Sequence, residues 1–257
     1  MKKKVALLII DMQRDFCAPT GALFVPGAVE DCQRLSKWIL DNKDEIDHIS
    51  CSLDAHHIND IAHPSYWKNK EGKNPAPFTQ IKSVDVENGT WFAIRPQWAL
   101  HYLKELENQG EYVHIVWPEH CLIASENFSM DEMVFDSLKT WSRGGKTIKF
   151  INKGECTESE HFGIFESQVP IPNIPSTQYN LPLQKKLEEH DVIYIAGQAR
   201  NFCVANSLKQ LINKAPELGK KIIILDDCTS NVPGFDGIDD GIWETAKSLG
   251  VRFSTTT

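Results

Sequence analysis

The feature that most constrains this chain is a set of short apolar runs, rich in β-branched residues and lacking polar alternation. They fall at positions 5–10, 46–53, 112–117, 147–151, 192–196 and 221–225, with a shorter candidate edge strand at 251–253. Runs of this length and pattern suit strands buried on both faces. Between them lie stretches of helical period: Ala28, Cys32, Leu35 and Ile39; Trp98, Tyr102 and Leu106; Val204, Leu208 and Ile212; Ile238, Ile242 and Ala246. Strand alternating with helix predicts a three-layer α/β fold, αβα, with a six-stranded, mostly parallel, doubly wound sheet.

Composition limits what such a fold would do here. The chain has 257 residues, 41% of them hydrophobic and 24% charged, as expected for a packed globular chain. That length predicts one domain over 1–257. Basic residues number 27 against 35 acidic, a net charge of −8. Such a balance argues against nucleic acid or an anionic membrane as partner. Lys2, Lys3 and Lys4 ahead of the first run imitate a signal peptide, but the run is short and ends in Asp11, so a first strand is the expectation. Seven scattered cysteines with no CxxC pair suggest reduced thiols and a cytoplasmic setting. Two segments break the alternation, 57–96 and 154–180, both rich in proline, and are expected to be long functional loops.

In an open parallel sheet, ligands bind beyond the carboxyl ends of the strands. Ionisable or nucleophilic groups follow five of the predicted strands. They are Asp11 to Phe16; Asp54, His56 and His57, with Asp60 and His63 behind; Trp117-Pro118-Glu119-His120-Cys121; Lys153-Gly154; and Gly197 to Cys203. Cys203 stands where a strand turns into a helix. Free N–H groups and the positive end of the helix dipole there favour a thiolate, and the same N–H groups can hold an oxyanion. Asp11 suits the base that takes the thiol proton, and Lys153 the cation that orients it. Asp54 and His56 share a side of an extended segment. With His63 they make a carboxylate and two imidazoles for a divalent metal ion, with His57 and Asp60 as competing ligands. Zinc, iron and manganese all tolerate that donor set.

Taken together, these blocks resemble the nicotinamidase/pyrazinamidase branch of the isochorismatase-like cysteine hydrolases. The first block, Asp11 to Phe16, is similar to one in which the leading aspartate is the catalytic base and the phenylalanine lines the pocket. Asp54-Ala55-His56 resembles the metal block, and Trp117 to Cys121 a Trp-Pro-x-His-Cys block of nicotinamidases. Lys153-Gly154 resembles the lysine block, and Gly197 to Val204 the nucleophile block. The resemblance implies a cis peptide before Ala199, an oxyanion hole from the N–H groups of Ala199 and Cys203, and catalysis by Asp11, Lys153 and Cys203. It implies hydrolysis of a small carboxamide, foremost nicotinamide to nicotinate and ammonia, with the metal holding the pyridine nitrogen, in NAD salvage. Phe16, with Trp91 or Trp67, would sandwich the ring. Members often self-associate, so a homo-oligomer is among the expectations. The chain departs from the pattern in three places. The run Asp-Trp-His-Pro is missing from the metal block. His63 falls one residue later than the family's second histidine. Arg200 and Asn201 replace Thr-Asp, adding a charge expected near the site. Two other readings stay open: hydrolysis of another amide or ureido bond, and a non-catalytic member of the fold.

Overall fold

The computed structural model describes residues 2–257. Its centre is a six-stranded sheet of β1 (Val5–Ile10), β2 (Ile46–Asp54), β3 (Lys149–Lys153), β4 (Val192–Gly197), β5 (Ile222–Leu225) and β6 (Arg252–Ser254). All neighbouring pairs are parallel, in the spatial order β6-β5-β4-β1-β2-β3. Residues Ala6 to Ile10 of β1 are all fully buried, which explains their unbroken apolar run.

The sheet is wound outward from β1 in both directions. Strands β2 and β3 follow on one side, and the chain then returns to lay β4 against the other. The order therefore switches between β1 and β4, where an open sheet forms its ligand crevice. Register fixes what meets there. Ile10 pairs with Gly197, and Asp54 pairs with Lys153. Asp11 thus emerges beside the turn that carries Cys203, and Lys153 beside Asp54.

Helices cover the sheet: α1 (Ala28–Asp41), α2 (Pro96–Gln109), α3 (Glu132–Ser142), α4 (Leu181–Glu188), α5 (Ala205–Lys214) and α6 (Asp240–Ser248). Ala28, Cys32, Leu35 and Ile39 of α1 are wholly buried, and α1 packs on α3 as α5 packs on α6. No helix among the described residues is long and apolar enough to cross a membrane.

Two expectations about the sheet change. The run at 112–117 is not in it: only His114–Ile115 is extended, paired antiparallel with Gln80–Ile81. Its remaining backbone bonds go to the 57–96 segment, Val116 N–H to Thr79 O and Trp117 N–H to Ala62 O. A buried strand in a satellite core reads like one in the main sheet, so the apolar run alone does not tell them apart. The sixth place belongs instead to the short edge piece, β6.

The two long segments are packed rather than loose. Residues of 57–96 build a second apolar cluster, with Ile61, Tyr66, Trp67 and Ile81 against Ala99, Tyr102 and Leu106 of α2. In the 154–180 segment Ser159, Glu160, His161, Phe162, Ile164 and Phe165 are all buried.

Candidate active site

Asp11, Lys153 and Cys203 come together at the carboxyl edge of the sheet. Lys153 Nζ lies 2.9 Å from Asp11 Oδ2, 2.9 Å from Asp54 Oδ1 and 3.7 Å from Cys203 Sγ. It also donates to His161 O at 2.7 Å, which completes its shell. Asp11 Oδ1 accepts the Ser52 hydroxyl at 2.6 Å, and Ser52 Oγ accepts the Asp11 N–H at 3.1 Å. Gln13, fully buried, ties the ends of β1 and β2 together: its Nε2 donates to Asp54 O at 2.8 Å, and its Oε1 accepts from Asp54 N–H at 2.7 Å.

Two glycines let these strand ends crowd together. A Cβ on Gly197, at φ 136°, would stand 2.0 Å from Ile10 O, so no other residue lets β4 leave the sheet so close to β1. A Cβ on Gly154, at φ 81°, would stand 3.1 Å from Asp54 Oδ1.

The electrostatics follow from burial and proximity. Burial pushes the Cys203 thiol well up, and the Asp11 and Asp54 charges add to this, against the pull of Lys153. Burial likewise raises the Asp11 carboxyl, opposed by Lys153. Burial alone would lower the Lys153 ammonium, but Asp11 and Asp54 hold it well above its ordinary value. The resting sulfur is therefore a thiol beside a carboxylate able to accept its proton and a permanent cation able to steady the product.

Cys203 lies in a π-type turn over Arg200–Val204 that runs into α5. The Gln198–Ala199 peptide is cis. The amides of Phe202 and Val204 both return to Ala199 O, each at 3.1 Å, while the Ala199 N–H donates to no acceptor among the described residues.

The mouth of the site is aromatic. Phe16, Leu23, Trp117, Phe162, Phe202 and Val232 wall a narrow cavity that is also lined by Cys203, Ala199, Asp54, His120 and Glu160. Trp117 meets Phe202 edge-on at 5.0 Å, and Phe162 lies 5.4 Å from Phe202. Phe16 is among these lining residues. Trp91 is not: it packs with the second apolar cluster, as does the fully buried Trp67, whose Nε1 donates to Ile61 O at 2.8 Å. The segment that seemed to supply an aromatic wall is committed to its own core, and Trp117 with Phe162 takes that place. Arg200 also turns away. Its guanidinium pairs with Asp226, donates to Thr229 Oγ1 at 3.0 Å and lies 4.6 Å over the Trp243 ring, so it puts no charge into the cavity.

Beside the triad is the candidate metal group. The ligand atoms of Asp54, His56 and His120 all lie within 4.8 Å of one another. His56 Nδ1 bonds Asp60 Oδ2 at 3.0 Å, which leaves its Nε2 facing Asp54 Oδ2 at 3.0 Å. Despite that proximity, the buried Nε2 has no partner in hydrogen-bonding geometry among the described residues. One carboxylate, two imidazoles and an outer carboxylate fixing a tautomer suit a divalent ion. His120 takes the place expected for His63, which stands just behind: His63 Nδ1 bonds His57 O at 3.0 Å and its Nε2 faces His120 Nδ1 at 3.3 Å. Burial and the neighbouring His56 and His120 push His63 down to about 2. His57 is exposed, and Asp60 acts through His56. The histidine at 120 was legible only as part of the Trp117–Cys121 block; Glu160 and Phe162 carried no signal beyond their loop.

No protein-family model matches the chain. Its sequence is 29% identical to the nicotinamidase of Saccharomyces cerevisiae over 248 residues, covering 96% of this chain and 97% of the relative. The crystal structure of the yeast nicotinamidase bound to the inhibitor nicotinaldehyde superposes with a TM-score of 0.68 at 23% identity, covering 98% of this chain and 99% of the other. The chain is thus similar over nearly its whole length to a nicotinamidase, and it shares that enzyme's fold. The pyrazinamidase of Pyrococcus horikoshii in complex with zinc shares the fold at a TM-score of 0.56 and 19% identity, covering 98% of this chain and 99% of the other. The six-stranded sheet expected from the sequence is that of this fold.

Proposed function

We propose that the protein hydrolyses nicotinamide to nicotinate and ammonia through a thioester on Cys203. The observation that carries this reading is the Lys153 ammonium, 2.9 Å from Asp11 and 3.7 Å from the Cys203 sulfur, beside a narrow cavity walled by aromatic side chains.

In this reading Asp11 takes the thiol proton as the sulfur attacks the amide carbon. The N–H groups of Ala199 and Cys203 hold the oxygen as it becomes negative; one such donor contributes about 3 kcal/mol. Collapse expels ammonia, with the proton returned from Asp11 to the leaving nitrogen. Asp11 then deprotonates a water that cleaves the thioester, releasing nicotinate and restoring the thiol. Lys153 stays charged throughout and keeps both carboxylates in place. Phe16, Trp117 and Phe162 grip the ring.

Asp54, His56 and His120 would hold a divalent ion. Zinc, iron and manganese fit the donors, and the zinc in the Pyrococcus protein favours zinc. When bound, such an ion supplies a Lewis-acid position for the ring nitrogen. In the cell the enzyme would act on a small molecule, in NAD salvage in the cytoplasm.

The test is ammonia release from a panel of carboxamides by wild type and Cys203→Ala. Release from nicotinamide that disappears in the variant is expected. Release only from other amides would move the substrate, and none from any would overturn the reading. Stripping metal, verified by elemental analysis, is expected to raise KM for nicotinamide more than it lowers kcat.

A further inference from the structure

The amide of Ala199 can stabilise an oxyanion only if the peptide joining residues 198 and 199 is held in one orientation. Ala199 offers no side-chain handle, so its neighbours must do this. Gln198 is fully buried. Its Nε2 donates to Asp31 Oδ2 at 2.7 Å, and its Oε1 accepts from Ser230 N–H at 3.3 Å. The same Asp31 oxygen accepts the Ser230 hydroxyl at 2.6 Å, while Asp31 Oδ1 accepts Arg34 Nη2 at 2.6 Å. On the other side of Ala199, the Arg200 N–H donates to Ser230 O at 2.8 Å. Ala199 is therefore bracketed by bonds to Ser230, and the bracket is anchored on a carboxylate of α1 that is 1% exposed.

Packing does not call for these groups. A buried amide and a buried carboxylate in this core could give way to apolar side chains of similar volume with little loss or some gain in stability. What an apolar side chain lacks is direction. The Gln198 amide has one donor and one acceptor engaged, and both fix the rotation of residue 198 about its own backbone.

We infer that Asp31, Gln198 and Ser230 form a positioning unit that aims the Ala199 N–H at the reacting carbonyl. The inference rests on the amide-hydrolysis reading above. The three residues touch neither substrate nor sulfur; they act through the backbone of Ala199.

The 257-residue chain tests this in three assays. Asp31→Ala and Gln198→Met are expected to lower kcat on nicotinamide about 10- to 100-fold, a part of what loss of a whole oxyanion donor costs, with KM within about threefold. Affinity for nicotinaldehyde, whose adduct with the thiol carries a tetrahedral oxygen, is expected to weaken by a similar factor. Alkylation of Cys203 by iodoacetamide, followed by peptide mass mapping, passes through no oxyanion and is expected to stay within about twofold. Asp31→Asn, which keeps one oxygen for Gln198 and Ser230, is expected to restore most of kcat. Unchanged kcat in the alanine and methionine variants would overturn the unit. So would alkylation and turnover falling together, since that marks general damage. Should Asp31→Ala not fold, Gln198→Met and Ser230→Ala carry the comparison. A wild type that binds nicotinaldehyde yet releases no ammonia refutes the amide reading alone, and the ratio of aldehyde affinity to alkylation rate still decides the unit.

Discussion

Lys153 is the residue on which most charge in the site depends. It is 2% exposed and stands between two buried carboxylates. Removing one member of a buried charged set leaves the others uncompensated, at about 3–5 kcal/mol. Lys153→Met is therefore expected to lower stability by that order and abolish turnover. Asp11→Asn should differ. It removes one of the two charges that burial disfavours and keeps the acceptor for Ser52, so stability should hold or rise. With the proposed general base gone, turnover should fall by roughly 10²–10⁴. Urea titration beside an ammonia assay checks both signs. An Asp11→Asn protein as unstable as Lys153→Met would mean that the triad is structural cement rather than a proton-transfer device.

At the scale of elements, the sequence showed which strands end in chemistry but not which loops face it. The strand ends were legible because a parallel sheet aligns its carboxyl edges, so Asp11, Asp54, Lys153 and the Cys203 turn had to converge. His120 and Phe162 were harder. They reach the cavity through irregular backbone whose course depends on long-range bonds, such as Trp117 N–H to Ala62 O. Trp91 misled for the same reason: proline-rich segments with aromatics suit either a pocket wall or a satellite core, and periodicity is silent between them. The satellite core gives a clear contrast. Trp67→Ala, at a fully buried ring with a bonded Nε1, is expected to cost about 3–5 kcal/mol. Trp91→Ala is expected to leave KM for nicotinamide within twofold. A large rise in KM for Trp91→Ala would return that ring to the pocket.

For the whole molecule, acid is the informative stress, because several histidines are buried without a charge partner. His114 is the cleanest. It is 4% exposed, its Nε2 donates to Ile61 O at 3.0 Å, and its Nδ1 faces the Tyr102 hydroxyl at 3.5 Å. Burial pushes it down to about 4 from an ordinary value of 6.5. The folded state therefore prefers the neutral ring. Above pH 6.5 neither state is protonated, and the contribution is complete. Between 6.5 and about 4 the unfolded chain binds a proton that the folded chain refuses, so stability falls as pH falls, by about 1.4 kcal/mol per unit and about 3 kcal/mol across the window. Burial also lowers His48, to about 4, so the wild type should lose stability more steeply than one proton allows. His114→Gln keeps a donor for Ile61 O and cannot titrate. The slope of its unfolding free energy between pH 4.5 and 6 should be shallower than that of the wild type by about one proton. Equal slopes in the two proteins would show that the second apolar cluster admits the charged ring, and that the acid sensitivity of this fold has its origin elsewhere.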